Sequence, residues 1–268
     1  MIDVDEFYGF AHMPFSRSIP TDKLYRGNEI DELIDRLKFV ADRQLFAVVT
    51  GDSGTGKTTI LRCFNDALVD KSYKVLYIAD SKLTPRVFYK EVLEQLGFEA
   101  RFYRGDAKRQ LFTEILKMKE AYGVNLVVIA DEAHLFDKEM LEEIRFLLNC
   151  RMDSRSHMSI ILSGQSELWE KLKLKNYEAI LQRIDVRCLI SKQDRSRTAE
   201  YIKAHLGYAG CDRDIFTEAA IDEIYKYSGG ICRKINRCCT NSLMYGAQNH
   251  KTLIDDRMIS LVIECELN

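Results

Sequence analysis

The segment that most constrains this chain runs from Gly51 to Thr59 and has the spacing G-x-x-x-x-G-K-[ST]. An apolar run precedes it at residues 45–49, and a helix-like run follows it. Glycines allow backbone N–H groups to surround an anion, and the positive end of the following helix points at the same anion. A chance glycine-rich turn is the alternative, but it does not account for the flanking strand and helix patterns. We therefore predict a loop that binds the phosphates of a nucleoside triphosphate.

The side chains of this phosphate loop have separate predicted roles. Lys57 supplies a positive charge to the β- and γ-phosphates, and the hydroxyl of Thr58 is placed to bind Mg²⁺. The predicted cofactors are therefore ATP and Mg²⁺. The residues predicted to contact them are Gly51, Asp52, Ser53, Gly54, Thr55, Gly56, Lys57, Thr58 and Thr59.

A second motif follows the apolar, β-branched run at residues 125–130, which is typical of a strand buried on both faces. Asp131 and Glu132 come next, at the end of a strand that lies beside the phosphate loop in folds of this kind. We predict that Asp131 holds Mg²⁺ and that Glu132 is the base that activates water. The alternative, two acids that begin a solvated loop, is disfavoured by the phosphate loop. His134 completes the letters DEAH, but no other helicase motif is evident, and we interpret His134 as a helix-start residue.

Composition favours a cytoplasmic protein with no membrane partner. The chain has 268 residues, of which 46% are hydrophobic, enough for a large domain and a small one. No apolar run approaches the roughly 18 residues that span a bilayer, and the N-terminus lacks a signal pattern. The eight cysteines include no C-x-x-C pair, which predicts reduced, mostly buried thiols and no zinc site. The net charge of −2 means that contact with nucleic acid requires a local basic patch.

The order of elements predicts an α/β part followed by a helical part. The predicted strands are Leu45–Thr50, Lys74–Ala79, Leu126–Ala130, Met158–Ser163 and Arg187–Ile190. The predicted helices are Lys57–Val69, Pro85–Leu96, Ala107–Tyr122, Lys138–Arg151, Ser166–Leu172, Asp194–His205, Thr217–Tyr227, Gly230–Asn249 and Asp255–Glu264.

Together these motifs resemble one family over nearly the whole chain. The chain is similar to AAA+ ATPases of the ExeA-like group, which also contains bacterial transposition regulators of the TnsC, TniB, IstB and MuB types. The phosphate loop and the acidic strand end are the most specific of the matching motifs. The others are FYGF (7–10), MPF (13–15), DKLY (22–25), SGQ (163–165), LQRI (181–184) and SGGICRKINR (228–237).

The resemblance implies the fold and its division into domains. It implies an α/β P-loop fold with a five-stranded parallel sheet of order 5-1-4-3-2 and a small C-terminal helical lid. The strand Met158–Ser163 then lies between the phosphate-loop strand and the acidic strand. The implied domains are an N-terminal segment that packs on the nucleotide site (1–25), the ATPase core (26–192) and the lid (193–268).

Three further site residues follow from the resemblance. Gln165, at the end of the fourth strand, matches a polar sensor of the γ-phosphate. Arg183 matches the arginine finger that reaches a neighbouring subunit's nucleotide; the alternative is a surface residue before an edge strand. Arg233 matches the lid arginine that contacts the γ-phosphate; the alternative is an ordinary cation at a helix start, where it opposes the helix dipole unless an anion is near.

Basic side chains after the second strand and around Phe102–Tyr103 predict contact with DNA. In transposition regulators the matching region lines the bore of a ring or helical assembly and follows a DNA backbone, which basic residues hold in a salt-dependent, sequence-tolerant way. The alternative is a solvated helix face. The predicted contacts are Lys82, Arg86, Arg101 and Arg104.

The predicted function is that of a bacterial, ATP-dependent transposition regulator that oligomerises on target DNA. Its predicted partners are double-stranded DNA, a transposase, a target-selection protein as a further candidate, and copies of itself in a ring or helix that is hexameric per turn. One alternative is an ExeA-like ATPase of secretion or the cell envelope; those proteins continue into a membrane span and a wall-binding domain, which we do not expect here. Another is a nucleotide-gated signalling switch that does not use DNA.

Overall fold

The structure is a computed structural model and describes residues 3–68, 72–148 and 156–267. Its strands are β1 (Phe46–Gly51), β2 (Tyr73–Ile78), β3 (Asn125–Ala130), β4 (Met158–Gly164) and β5 (Val186–Ile190). Its α-helices are α1 (Val4–Tyr8), α2 (Asn28–Arg43), α3 (Lys57–Ala67), α4 (Pro85–Gln95), α5 (Arg104–Tyr122), α6 (Lys138–Leu147), α7 (Ser166–Leu172), α8 (Glu178–Leu181), α9 (Arg195–Tyr208), α10 (Glu218–Ser228), α11 (Cys232–Gln248) and α12 (Asp256–Val262).

The five strands form one parallel sheet in the order β2-β3-β4-β1-β5, which confirms the predicted fold class and strand order. In the register of the sheet, Val48 of β1 lies between Leu162 of β4 and Arg187 of β5. The central strands β1 and β4 are buried along their whole length, whereas the edge strands β2 and β5 have exposed positions. Burial on both faces explains why the central strands are continuous apolar runs.

The chain divides into two compact units, and each has its own apolar core. The sheet unit comprises Ile30–Gly51 and Lys57–Ile190. Its core packs side chains of α4, α5 and α6 against the sheet, among them Phe88, Leu111 and Ile144.

The helical unit comprises Met1–Glu29, Asp52–Gly56 and Ser191–Asn268. The hydroxyl of Tyr8 in α1 donates to the carbonyl of Lys251 at 2.9 Å, so the N-terminal segment packs on the C-terminal helices. The predicted domains 1–25, 26–192 and 193–268 stay a prediction. The two compact units divide near residues 29 and 191, and the loop segment 52–56 falls in the helical unit. Packing of residues 1–25 on the nucleotide site stays a prediction.

The ends of most predicted helices and strands lie within a few residues of the observed ends. Three α-helices among the described residues were not predicted. The structure adds α1, α2 and α8, none of which was predicted. The predicted ends at Val69 and Arg151 lie outside the described residues. Within the described ranges, no helix is both long and apolar enough to cross a membrane.

The described cysteines are free thiols, and most of them are buried, as predicted. Cys188, Cys238 and Cys239 have raised pKa values because burial penalises the thiolate. Cys265 is exposed, and Cys150 lies outside the described residues.

Candidate functional site

Within the helical unit, the phosphate loop lies against the first residues of α11. Gly54 has a φ of +82°, and a Cβ atom built there would lie 2.8 Å from Cβ of Arg233 and 3.0 Å from Cγ2 of Ile231. The backbone N–H of Arg233 donates to the carbonyl of Gly54 at 3.1 Å, and its guanidinium reaches the hydroxyl of Ser53 at 3.5 Å. A side chain at position 54 has no room here, so the glycine is required by the close approach as well as by its backbone angle. Arg233 is thus placed at the loop, where the lid arginine was predicted.

Two other residues of the helical unit contact the same loop. The ammonium group of Lys192 lies 2.9 Å from a carboxylate oxygen of Asp52, whose negative charge would otherwise oppose an approaching phosphate. The thiol of Cys232 donates to the carbonyl of Thr55 at 3.7 Å. Residues of α11 therefore donate hydrogen bonds to the carbonyls of Gly54 and Thr55. An anion would be bound by backbone N–H groups of the loop.

In the sheet unit, the phosphate-loop helix and the acidic strand bring polar side chains together. The ammonium group of Lys57, at the start of α3, is buried and donates to the carbonyl of Gly51 at 2.8 Å. The hydroxyl of Thr58 donates to Asp131 Oδ2 at 3.2 Å, and the hydroxyl of Tyr77 donates to the same oxygen at 2.7 Å. Asp131 is itself buried, with 3% of its surface exposed. Lys57, Thr58 and Asp131 are thus grouped as the sequence predicted.

The oxygen atoms of this group fit a small divalent cation. Mg²⁺ prefers carboxylate, hydroxyl and water oxygens, and Thr58 and Asp131 supply the first two within one short contact. A buried carboxylate also gains most from a nearby cation. Next to it, burial and the hydrogen bond to Asp131 raise the pKa of the Tyr77 phenol, so that it remains a hydrogen-bond donor.

Glu132 has a backbone conformation that is unusual for its residue type. Its φ of 54° and ψ of 29° lie in the left-handed region, and its N–H donates to Asp131 Oδ1 at 2.9 Å. Non-glycine residues in this region are uncommon and are concentrated at functional sites. The Glu132 side chain is half exposed, so water can reach its carboxylate.

Gln165, the predicted sensor, stands at the end of β4 and is the N-cap residue of α7. Its amide nitrogen lies 3.2 Å from Nε2 of His134, whose Nδ1 lies 3.4 Å from a carboxylate oxygen of Glu132. The ends of β3 and β4 therefore bring the predicted base and the predicted sensor to the two sides of one imidazole. Arg183 lies between α8 and β5 with a partly buried side chain, and its role toward a second subunit stays a prediction.

The four residues predicted to contact DNA differ in their surroundings. Lys82, Arg86 and Arg101 are exposed. The guanidinium carbon of Arg86 lies 4.4 Å from the centre of the Phe102 ring. Arg104 is also exposed, but it forms ion pairs with Glu139 at 2.8 Å and with Glu143, so its charge is already balanced within the chain.

Glu143 is the centre of a buried polar cluster. Its carboxylate accepts hydrogen bonds from Arg104, from Lys108 at 2.9 Å and from the hydroxyl of Tyr89. Burial alone would raise its pKa, but these hydrogen bonds outweigh burial and lower it. The cluster joins α4, α5 and α6, and it fixes the start of α5, which Phe102 and Tyr103 directly precede.

Sequence reasoning missed two residues of these sites and gave a third, His134, only the role of a helix start. No sequence motif marks Tyr77 or Lys192. Tyr77 reaches Asp131 only because β2 pairs with β3. Lys192 reaches Asp52 only through the folding of the helical unit. His134 was interpreted as a helix start, and it does lie in a short 3₁₀ helix, Ala133–Leu135. The sequence signal that could have indicated its place in the site is that His134 lies two residues after Glu132.

Comparison with known proteins agrees with this geometry. Residues 40–172 match the family model described as an AAA domain. The chain is 30% identical over 258 residues to "General secretion pathway protein A" of Aeromonas hydrophila, a match that covers 94% of this chain and 46% of that protein. The chain thus spans about half the length of this curated relative.

Solved structures with the same fold come from proteins of low sequence identity. A Drosophila ORC structure bound to DNA aligns with a TM-score of 0.73 at 15% identity, covering 97% of this chain and 65% of that one. Cdc6p from Pyrobaculum aerophilum aligns with a TM-score of 0.70 at 16% identity, covering 95% of this chain and 69% of that one. The fold is that of AAA+ P-loop ATPases. This fold implies nucleotide binding, and the matched AAA domain supports ATPase activity.

Proposed function

We propose that this ATPase is a bacterial, cytoplasmic regulator of DNA transposition. ATP would drive its assembly on duplex DNA, where it recruits or activates a transposase, and hydrolysis would disassemble it. The observation that carries this proposal is an exposed basic and aromatic surface on the sheet unit. We call it the basic–aromatic surface; it comprises Lys82, Arg86, Arg101, Phe102 and Tyr103.

In the proposed reaction, the phosphate loop and Lys57 hold the triphosphate, and Thr58 and Asp131 hold Mg²⁺, which supplies positive charge to the phosphate oxygens. Glu132 accepts a proton from the attacking water. The groups proposed to respond to the γ-phosphate are Gln165 and Arg233 of the same chain and Arg183 of a neighbouring copy.

Two variants test the chemical assignments. Lys57→Ala should abolish ATP binding, because the charge partner of the phosphates is lost. Glu132→Gln should bind ATP but stall hydrolysis, because the amide cannot accept the proton. Fluorescent-nucleotide titration and phosphate release measure the two steps separately. Hydrolysis by Glu132→Gln at the parental rate would show that Glu132 is not the base.

A mixing experiment tests the role of Arg183 between subunits. Arg183→Ala should bind ATP nearly normally and hydrolyse it poorly. Adding Lys57→Ala subunits, which lack ATP but retain Arg183, should restore part of the activity. A titration with no restoration at any mixing ratio would remove Arg183 from the shared site.

The basic–aromatic surface has the chemistry of a nucleic-acid contact. Phe102 and Tyr103 are 69% and 70% exposed, an unusual exposure for neighbouring aromatic side chains. Arg86 stacks on Phe102, and Lys82 and Arg101 add exposed positive charge. An assembly with one such surface per subunit would convert weak phosphate contacts into tight binding.

Binding to duplex DNA across a salt series tests this surface. We expect affinity that requires ATP, falls steeply with salt and varies little with sequence. Replacing Lys82 and Arg101 by Ala should weaken binding and reduce the salt slope by about two. The matched control replaces Lys38 of α2 and Lys173, which directly follows α7, and removes the same charge. Equal effects of the two double variants would exclude a specific DNA surface.

A second candidate function is that of a secretion or envelope ATPase. It is supported by the match to the Aeromonas hydrophila secretion protein, which extends over 94% of this chain. This candidate predicts ATP-dependent self-association that duplex DNA does not alter. Sedimentation with ATP, with and without DNA, therefore separates the two functions. A protein that stays monomeric when ATP is bound would favour a signalling switch instead.

A further inference from the structure

We propose that Tyr77 is a positioning residue of the cation site: its hydroxyl fixes the orientation of the Asp131 carboxylate and thereby strengthens the binding of Mg²⁺. The inference rests on the proposed roles of Thr58 and Asp131 in holding Mg²⁺. Tyr77 is 43% exposed on the edge strand β2, so burial of its ring contributes little. The contact that its hydroxyl makes is therefore the part of this side chain that needs an explanation.

The pairing of β2 with β3 explains why a tyrosine stands at this position. Tyr77 lies opposite Ile129, and Asp131 follows two residues later, so its side chain belongs to the same face of the sheet. The N–H of Asp131 donates to the carbonyl of Ile78 at 2.8 Å, which ties this part of the chain to the end of β2. A diagonal neighbour on a paired strand is within reach of an aromatic side chain. The hydroxyl at the tip of Tyr77 reaches Asp131 Oδ2 at 2.7 Å.

Among the described residues, three donors from different parts of the fold hold the Asp131 carboxylate. Oδ1 accepts the backbone N–H of Glu132 at 2.9 Å. Oδ2 accepts the hydroxyl of Tyr77 at 2.7 Å and that of Thr58 at 3.2 Å. Hydrogen bonds between a hydroxyl and an oxygen usually measure about 2.7–2.8 Å, so Tyr77 makes the stronger of the two contacts to Oδ2. With a donor on each oxygen, the carboxylate is fixed in its rotation about the Cβ–Cγ bond.

The hydroxyl of Tyr77 differs from that of Thr58 in what else is asked of it. The Thr58 oxygen is proposed to bind Mg²⁺ itself, whereas the Tyr77 hydroxyl is proposed only to orient Asp131. Without that hydroxyl, the 3.2 Å contact from Thr58 would be the remaining hydrogen bond to Oδ2 among the described residues. The carboxylate would then have to become ordered when the cation binds. Partners that orient a metal ligand through a hydrogen bond typically contribute about 10- to 100-fold to metal affinity.

Matched tyrosine substitutions on one strand test this role. Tyr77→Phe removes the hydroxyl and keeps the ring. Tyr73→Phe is the control, because Tyr73 begins β2 and its hydroxyl also donates to a carboxylate, that of Asp42. Mn²⁺ is the probe: it is titrated, with detection by electron paramagnetic resonance, into protein in excess over a non-hydrolysable ATP analogue, so that all the nucleotide is bound. We expect the Kd for Mn²⁺ to rise about tenfold or more in Tyr77→Phe and to change less than about twofold in Tyr73→Phe.

Nucleotide binding without metal separates a positioning role from a structural one. The Kd of a fluorescent ATP analogue in EDTA should be the same in the parent, Tyr77→Phe and Tyr73→Phe, because the phosphate loop is unchanged. Parental Mn²⁺ affinity in Tyr77→Phe, or an equal loss in Tyr73→Phe, would overturn the inference. A Kd in EDTA that rises as much as the Kd for Mn²⁺ would overturn it too, since the hydroxyl would then support the site as a whole.

Asp131→Asn, measured in the same way, tests the coupling and distinguishes two failures. It should weaken Mn²⁺ binding, and adding Tyr77→Phe should then have less than about a twofold effect, because the carboxylate that Tyr77 orients is gone. Effects that combine in full in the double variant would contradict the coupling. If Asp131→Asn binds Mn²⁺ as the parent does, the proposed cation site is wrong. If it binds Mn²⁺ weakly while Tyr77→Phe does not, only the role of Tyr77 is wrong.

Discussion

Acidification should destabilise the helical unit through one buried histidine. His205 in α9 is 3% exposed and lies between the rings of Phe15, at 5.4 Å, and Tyr201, at 4.1 Å. Nδ1 of His205 donates to the carbonyl of Pro14 at 2.7 Å, and among the described residues Nε2 has no hydrogen-bond partner. A second proton would therefore place an unpaired charge in the core. Burial lowers the pKa of His205 to about 4, despite the hydrogen bond to Pro14, which raises it.

The size of the effect follows from the two pKa values. An unfolded histidine titrates near its ordinary value of about 6.5. Above that pH, His205 makes its full contribution to the free energy of unfolding. This contribution is lost as the pH falls toward 4, because only the unfolded state then takes up the proton. The difference between the folded and unfolded pKa values lowers the free energy of unfolding by about 3 kcal/mol at pH 4 and about 2 kcal/mol at pH 5, relative to pH 8.

Urea unfolding followed by circular dichroism at pH 8 and pH 5 measures this loss. His205→Asn keeps an N–H donor for the Pro14 carbonyl but does not titrate, so it is the matched comparison. It will be less stable than the parent at pH 8 because the aromatic packing is lost. The difference between the two proteins should shrink by about 2 kcal/mol at pH 5. A difference that is the same at both pH values would refute the assignment to His205.

Three other substitutions test packing and charge. Gly246→Ala should destabilise the protein and displace α1, because the new Cβ would lie 2.2 Å from the Tyr8 hydroxyl. Gly207→Ala is the control, since nothing lies within 4 Å of its Cβ, and it should stabilise α9 by about 0.4–1 kcal/mol in thermal or urea unfolding. Glu143→Gln should lower the free energy of unfolding by about 1–3 kcal/mol, because Arg104 and Lys108 lose a buried partner but can still reach water; urea unfolding with no change would contradict the cluster's role.

The sheet could be predicted because its strands carry their signal locally. Buried parallel strands are continuous apolar runs, and the observed ends of β1, β3 and β4 lie within one residue of the predicted ones. The helix α2 was missed although its apolar positions, Ile34, Leu37, Val40 and Ala41, recur at helical spacing and are buried. The short α8 has too few residues to show a period.

The candidate site was predictable where a motif is contiguous and was not where it depends on pairing across the fold. The phosphate loop could be predicted from its spacing, and Asp131–Glu132 could be predicted from the apolar run before them together with that loop. Arg104 was predicted to contact DNA from its local charge, but its pairing with Glu143 of α6 can be seen only in three dimensions. The contact of His134 with Gln165 likewise requires that β3 and β4 be neighbours.

The fit of Gly54 against Arg233 also affects how the protein is made. The phosphate loop is translated early, but the helix start that contacts it lies 180 residues further along the chain. At ordinary rates of synthesis this interval is roughly 10 to 40 seconds. During that time the emerging loop lacks the contacts from α11 that satisfy its carbonyls. A nascent chain should therefore acquire the contact between Gly54 and Arg233 only after α11 has left the ribosome.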